Sequence, residues 1–217
     1  MHIDKDSYGT ITIVVAISAA VAACLFIFFG STPAVWALTF LLLAFAVFVT
    51  LFHRVPVRHT VGGESTVCAV ADGKIVIVEK AYEKEFLKRD CIQVSIYMNF
   101  FDVHANFWPM DGEISYYKYH PGHYLLAFHP KASEKNEHSS TAIKGTKGEI
   151  LFKQIAGTFA RRIVCYSKEG MAVKAGDQCG IIKFGSRIDM FLPLDADVKV
   201  KVGDLTRASE TLIAELH

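Results

Sequence analysis

The sequence predicts a mainly β domain that follows an N-terminal hydrophobic helical hairpin. The first 52 residues hold only three formal charges, Asp4, Lys5 and Asp6, next to two long apolar runs. From residue 53 onward, short segments rich in β-branched and aromatic residues alternate with Gly-Asp and Asp-Gly turns. A long amphipathic helix is missing from this second part of the sequence. We therefore divide the chain into residues 1–52 and residues 53–217.

The two apolar runs have the length of membrane-spanning helices. Residues 11–30 and 35–52 carry no charge, and about 20 helical residues cross the roughly 30 Å hydrocarbon core of a bilayer. A Ser-Thr-Pro step between the runs suits a helix stop and restart. Arg54 and Arg58 follow the second run, so the positive-inside rule predicts a cell-membrane protein with its main domain on the cytoplasmic side. A buried hairpin in a soluble protein, or a hairpin lying partly in one leaflet, is the alternative.

Charge and cysteine usage exclude several other classes of protein. The net charge is +1, which gives no electrostatic footprint for nucleic acid. The five cysteines are odd in number and form no CxxC pair, which argues against a disulfide framework and favours a reducing compartment. We expect all of them to be buried apolar thiols; they are Cys24, Cys68, Cys91, Cys165 and Cys179.

Six segments after the hairpin have the composition of β-strands. They cover residues 74–82, 91–98, 113–120, 149–157, 161–167 and 197–202. Residues 129–140 are polar and predict an exposed loop. Near the C-terminus the order strand, Gly-Asp turn, strand occurs twice, at Gly176 and at Gly203. This repeat resembles the hybrid barrel of lipoyl and biotinyl carriers, which expose a lysine at a hairpin tip where this chain has Gly185-Ser186.

The Gly185-Ser186 step can be an ordinary turn between two strands or a reactive site. A serine hydroxyl can attack the carbonyl of the residue before it and convert the amide into an ester. Glycine at that position opens the carbonyl to attack and tolerates strained torsions. The reaction needs a base and an oxyanion donor. Elimination and hydrolysis would then turn the serine into a pyruvoyl group, a ketone that forms an imine with an amine and accepts electrons.

Five sequence blocks raise the second interpretation above the first. They are AVADGKIVIVE (69–79), VSIYMNFFDVHANFWPMDG (94–112), PKASEKNE (130–137), QIAGTFARRIV (154–164) and GIIKFGSRIDMFLP (180–193). Their order resembles the short bacterial and archaeal class of phosphatidylserine decarboxylases over nearly the whole chain. The resemblance implies a zymogen that cuts itself into a β chain, 1–185, and an α chain, 186–217. The mature lyase would convert phosphatidylserine into phosphatidylethanolamine in phospholipid biosynthesis.

The same resemblance implies roles for individual residues. Ser186 would become the pyruvoyl cofactor. Asp72 would support self-cleavage by orienting a histidine base, although an Asp-Gly turn alone also explains it. His104 would do acid/base work, including protonation of the substrate carbon. Phe107 stands where the long class has a second histidine, so the cleavage base stays open between His104 and His120.

Binding of the lipid headgroup requires cations for its phosphate and carboxylate. The basic residues of the matching blocks are Arg161, Arg162, Lys183 and Arg187. Adjacent strand positions face opposite ways, so Arg161 and Arg162 do not both line one pocket if that segment is extended. For Arg187 a surface charge is the alternative. His120 and His123 lack a third ligand at metal spacing, so we expect no metal site.

The expected partners are phosphatidylserine, the membrane, and the α and β chains of one precursor. A homo-oligomer is compatible with the sequence. Two other functions are also compatible: decarboxylation of archaetidylserine or a related aminophospholipid, and a non-catalytic membrane-anchored hybrid-barrel adaptor.

Overall fold

Strands dominate the part of the chain that the computed structural model describes, which is residues 1–122, 136–157, 163–183 and 186–217. The predicted fold class is confirmed: the protein is mainly β and begins with a two-helix apolar hairpin. The chain divides into two compact units, Met1–Pro56 and Val57–His217, and each is described by itself.

The N-terminal unit is a helical hairpin closed by a short strand pair. Its elements are β1 (His2–Ile3), a 3-10 turn (Lys5–Ser7), α1 (Tyr8–Phe29), α2 (Pro33–Phe52) and β2 (Arg54–Val55). Strand β1 pairs antiparallel with β2. Both helices are long and apolar enough to cross a membrane, over Lys5–Phe29 and Pro33–Phe52.

The turn between the helices is fixed by helix-ending and helix-starting residues. Gly30 has a φ of +66° and ends α1, because glycine adopts this left-handed torsion without a steric penalty. Thr32 caps α2 by accepting a hydrogen bond from the Val35 amide, and Pro33 occupies the first helical turn. Proline suits that place because the amide it lacks would have no partner inside the helix.

The described residues of the second unit form fourteen strands in three sheets. The strands are β3 (Thr66–Cys68), β4 (Gly73–Glu83), β5 (Arg89–Met98), β6 (Ala105–Phe107), β7 (Gly112–His120), β8 (His138–Lys144), β9 (Glu149–Ala156), β10 (Ile163–Cys165), β11 (Ala172–Val173), β12 (Gln178–Ile182), β13 (Ser186–Leu192), β14 (Asp197–Val198), β15 (Leu205–Thr206) and β16 (Leu212–Glu215). The largest sheet has the order β11-β7-β8-β9-β13-β5-β4-β15 and curls into a half barrel. The smaller sheets have the orders β10-β12-β6 and β14-β16-β3.

Three sequence expectations are wrong. The five cysteines were expected to be buried, but Cys24 is exposed and Cys165 is half-buried. Residues 197–202 were expected to form one strand, but β14 ends at Val198. The polar segment 129–140 was expected to be an exposed loop. Residues 129–135 lie outside the described residues, but residues 136–140 are buried and β8 begins at His138. Hydrogen bonds explain the burial: the Ser139 and Ser140 hydroxyls donate to Gln154 and Glu85, so these polar groups keep partners away from water.

Strand β13 lies in the middle of the large sheet and pairs on both sides, with β5 and β9. Its even-numbered residues, such as Ile188 and Met190, face the main hydrophobic core. Its odd-numbered residues, such as Phe191, face the other side of the sheet, where a smaller cluster packs. The strand before it, β12, belongs to a different sheet. The chain therefore leaves one sheet at Ile182 and enters another at Ser186, and β12 and β13 do not pair as a hairpin.

Candidate active site

Ser186 is the first residue of β13 and is completely buried. It lies opposite Met98 of β5 and Ala156 of β9, on the face that carries the main core. Its hydroxyl donates to the Met98 sulfur at 3.1 Å. A thioether is a weak acceptor, so the Ser186 hydroxyl is shielded from water without being held by a strong hydrogen bond.

Of the other residues expected at the site, three lie outside the described residues: Gly185, Arg161 and Arg162. Lys183 is described and buried, with 8% of its surface exposed. It stands three positions before Ser186, directly after the end of β12. Lys183 is therefore one of the expected cations that lie close to Ser186 in the sequence.

His104 is completely buried in the segment that leads into β6. Its carbonyl accepts a hydrogen bond of 3.3 Å from the Ile182 amide, which places its backbone beside the end of β12. Its Nδ1 lies 3.0 Å from the Asp102 carbonyl. Because a carbonyl only accepts, Nδ1 carries the proton and Nε2 carries the lone pair of the neutral ring. This tautomer has the form that a general base needs.

Asp72 immediately precedes β4 and is held by a dense set of donors. Arg58 Nη2 contacts its two carboxylate oxygens at 2.7 and 2.6 Å, and the Ala208 amide donates to it at 2.8 Å. Strands β4 and β13 flank β5 and start at the same end of the sheet. The two strand starts are therefore about 10 Å apart, twice the usual strand spacing. Asp72 and Ser186 thus lie at the same end of the strands in the large sheet, and Arg58 binds directly to the Asp72 carboxylate.

Arg187 faces the opposite side of the sheet from Ser186. Its guanidinium donates from Nε to Asp189 at 2.6 Å and from Nη2 to Asp189 at 3.1 Å and to Ser95 at 3.3 Å. Arg187 is 2% exposed and Asp189 is fully buried, which excludes the alternative of a surface charge. The expected substrate contact would require this buried ion pair to open.

His120 lies at the end of β7, three strands away from β13 in the sheet order. At the usual strand spacing this is about 14 Å. Its Nε2 is 2.6 Å from a Glu85 oxygen, and its ring stacks on His138 with centroids 4.4 Å apart. Of the two candidate cleavage bases, His104 is the one whose backbone contacts the chain next to Ser186.

A buried polar chain runs away from Ser186, and the sequence did not single it out. The side chain of Asn106 donates from Nδ2 to the Met98 sulfur at 3.9 Å, and its Oδ1 accepts a hydrogen bond of 2.8 Å from Gln154 Nε2. Ser139 in turn donates to Gln154 at 2.8 Å. Asn106 and Gln154 are polar residues inside short apolar strands. That exception to the strand pattern is the signal that could have identified them.

Comparison with known proteins gives this geometry its context. A family model for phosphatidylserine decarboxylase matches residues 45–214. The chain belongs to the phosphatidylserine decarboxylase family. Two relatives named phosphatidylserine decarboxylase proenzyme cover 100% of this chain: one from Porphyromonas gingivalis is 40% identical over 223 residues and is covered to 99%, and one from Cytophaga hutchinsonii is 38% identical over 220 residues and is covered to 100%. A third, from Amoebophilus asiaticus, is 47% identical over 169 residues, which are 77% of this chain and 75% of the relative.

Membership of the phosphatidylserine decarboxylase family agrees with the resemblance predicted from the five sequence blocks. The matched region includes all of the second unit up to Ala214. Ser186, His104, Lys183 and Asp72 therefore all lie in the part of the chain that the family shares.

Proposed function

We propose that this protein is a phosphatidylserine decarboxylase proenzyme that cuts itself between Gly185 and Ser186. The observation that carries the proposal is the place of Ser186 in a chain of this family. The residue is fully buried, follows a glycine in the sequence, and opens a strand that is fixed on both sides. A buried serine at an inter-sheet crossing is an unusual solution for a structural turn, since turns lie at the surface.

The cleavage that we propose uses only the atoms of this dipeptide and one water. The Ser186 oxygen attacks the Gly185 carbonyl carbon, and the C–N bond breaks to leave an ester and a free amine. Loss of the Ser186 α-proton then breaks the bond between Cβ and the ester oxygen, which frees the Gly185 carboxylate and leaves a dehydroalanine. Water replaces the nitrogen of that residue, ammonia departs, and a pyruvoyl group remains at position 186. We assign the first proton to His104 Nε2, because the backbone of His104 is hydrogen-bonded to the end of β12, four residues before Ser186.

The surroundings of Ser186 fit such a group. Met98 and Ala156 on the neighbouring strands provide apolar walls, and burial excludes water that would compete with a substrate amine. When present, the pyruvoyl ketone supplies an electron sink for the loss of CO2 from the substrate. Pairing of β13 with β5 and β9 keeps the new N-terminus of the α chain in place after the cut.

We assign the remaining expected residues by their contacts. His104 delivers a proton to the substrate carbon after CO2 has left. Lys183 is the described cation best placed along the chain to attract the phosphate or the carboxylate, and Arg161 and Arg162 are further candidates from the sequence. We assign Arg187 to the stability of the sheet, because its guanidinium is paired with Asp189.

We propose that the helical hairpin anchors the protein in the cell membrane with residues 57–217 on the cytoplasmic side. The two apolar helices support the anchor, and Arg54 and Arg58 after α2 support the orientation. Anchoring gives a lipid-modifying enzyme access to a substrate that does not leave the bilayer.

The mass of the purified chain under denaturing conditions tests self-cleavage. We expect two fragments, 1–185 and 186–217, in place of the intact 24.1 kDa chain. Ser186→Ala removes the attacking oxygen and should stay intact, and it should release no phosphatidylethanolamine from phosphatidylserine vesicles. Ser65→Ala, a serine outside the site, should cut itself as the wild type does. An intact wild-type chain, or a cut Ser186→Ala chain, would refute the proposal.

A further inference from the structure

The face of the sheet opposite Ser186 carries a second polar cluster beside a cavity of about 380 Å³. The cavity is lined by odd-numbered residues of the central strands, including Lys153 of β9 and Phe191 of β13. Ser186 points to the even-numbered face, so the sheet separates the two places. The cluster has no part in the cleavage chemistry proposed above.

Three side chains from different elements converge at this cavity. Glu85 comes from the turn between β4 and β5, His120 from the end of β7, and His138 from the start of β8. One ligating atom from each lies within 4.8 Å of the others. We propose that Glu85, His120 and His138 form a binding site for a divalent transition-metal ion of the zinc class.

The donor set suits such an ion. Two imidazoles and one carboxylate are the ligands of many zinc sites that keep a fourth position open. At about 2.1 Å from an ion, three ligands lie roughly 3.4 Å apart. His120 Nε2 and Glu85 Oε1 are already 2.6 Å apart, so small side-chain adjustments close the set. The ion displaces the proton that these two atoms now share.

The hydrogen bonds around the cluster prepare His138 and Glu85 for this role. His138 Nδ1 donates to the Asn136 carbonyl at 2.8 Å, which leaves the lone pair on Nε2. Metal-binding histidines commonly have their other ring nitrogen fixed in this way. Glu85 Oε2 is held by Ser140 at 2.8 Å and by Lys153 at 2.9 Å, so Oε1 is the oxygen directed at His120.

Lys153 opposes a cation, but its charge is shared. Its ammonium lies 2.9 Å from Glu85 and 3.3 Å from Glu83. Two carboxylates therefore share this ammonium, and Lys84 also lines the cavity. Burial alone would raise the pKa of Glu85, but hydrogen bonds from Lys153, His120 and Ser140 lower it to about 2.

A bound ion would join β7, β8 and the turn between β4 and β5 on one face of the half barrel. Strands β7 and β8 are neighbours in the large sheet, whereas β4 and β5 lie towards its other end, so the ion would connect the turn to the β7-β8 pair. The fourth ligand would be a water from the cavity. The ion would therefore have a structural role, or would exchange with solvent, on the face of the sheet opposite Ser186.

Zinc binding to the full-length chain in detergent tests the proposal. Protein stripped with EDTA and dialysed against ZnCl2 should retain one ion per chain, measured by elemental analysis, and calorimetry gives its affinity. His138→Ala should weaken binding about tenfold or more, and Glu85→Gln should do the same while keeping the side-chain volume. Cobalt should produce the visible absorption of a tetrahedral site in the wild type and lose it in both variants.

His59→Ala is the matched control, because this histidine is exposed and lies outside the cluster, so its zinc affinity should equal that of the wild type. Circular dichroism verifies that each variant is folded. If His138→Ala does not fold, the change in melting temperature on addition of zinc tests the site instead. We expect zinc to raise the melting temperature of the wild type and not that of Glu85→Gln. A wild type that binds no zinc, or variants that bind it as tightly as the wild type, would overturn the proposal.

Discussion

Adjacent residues of β13 do opposite tasks because a strand alternates its faces. Ser186 points to the core face and provides the proposed reacting oxygen, while Arg187 points away and forms a buried ion pair with Asp189. Residues two positions apart share a face, and their charges are opposite. The spacing of Arg187 and Asp189 in a strand is therefore a sequence signal for an ion pair.

The ion pair predicts a strong stability effect at the residue scale. Asp189→Asn leaves the Arg187 guanidinium buried without a countercharge, which typically costs 3–5 kcal/mol. Urea unfolding, followed by fluorescence in the uncut Ser186→Ala chain, should show a loss of about that size. The Ser186→Ala background keeps the protein in one piece, so that cleavage does not complicate the comparison.

A double variant separates the charge from the packing at this pair. Arg187→Met with Asp189→Leu removes both charges and keeps apolar volume, and such replacements are often neutral or stabilising. We expect it to be more stable than Asp189→Asn alone. If Asp189→Asn costs less than about 1 kcal/mol, the pair contributes little, and Arg187 returns to the candidates for substrate binding.

Sequence patterns predicted the strands well but did not predict the side-chain clusters, because the residues of a cluster are far apart along the chain. β-Branched and aromatic runs located β4, β5, β7 and β9 to within about two residues because strand composition is a local signal. Glu85, His120 and His138 come together through the sheet register, and spacing along the sequence does not contain that information. His120 was therefore considered without the two partners that the fold supplies.

At the scale of elements, the crossing from β12 to β13 is the part on which the proposed reaction depends. Strand β12 pairs with β10 and β6, and β13 pairs with β9 and β5, so the intervening residues join two sheets that are each fixed by their own hydrogen bonds. The composition predicted both strands. Their separation into two sheets depends on long-range pairing that a single sequence does not show.

A substitution at Gly180 tests whether the packing of β12 affects cleavage between Gly185 and Ser186. A Cβ at this position would lie 2.2 Å from the Val164 carbonyl oxygen of β10 and 3.0 Å from the Gln154 amide. Gly180→Ala must therefore push β12 away from β10, at a cost of about 1–3 kcal/mol for such overpacking. We expect lower stability in urea and a slower appearance of the two fragments during expression.

Gly63→Ala is the matched control for this change. A Cβ there meets no atom within 4 Å, and surface changes of this kind usually stay within about 0.5 kcal/mol. Equal cleavage rates for Gly180→Ala and Gly63→Ala would show that the packing of β12 on β10 does not govern the geometry at Gly185-Ser186.

At the scale of the whole molecule, the chain joins an apolar helical unit to a β unit with different surfaces. Many large apolar side chains of α1 and α2 are exposed, among them Phe28, Phe40, Leu41 and Leu43. Water would solvate these surfaces poorly, whereas lipid tails would not. The same property that predicted the hairpin from sequence, long uncharged runs, therefore explains why it is suited to a bilayer.

Two arginines on the exposed face of α2 test the membrane anchor. Leu41 and Phe45 are 62% and 55% exposed and lie one turn apart near the middle of the helix, where each arginine costs roughly 2.5–3.5 kcal/mol of insertion free energy. Leu41→Arg with Phe45→Arg should therefore shift the protein out of the membrane fraction after a high-salt wash. Val202→Arg with Leu205→Arg adds the same charge at residues that are 59% and 78% exposed on the β unit, and should leave the membrane-bound share unchanged. Retention of the α2 variant equal to that of the control would contradict an anchor formed by this helix.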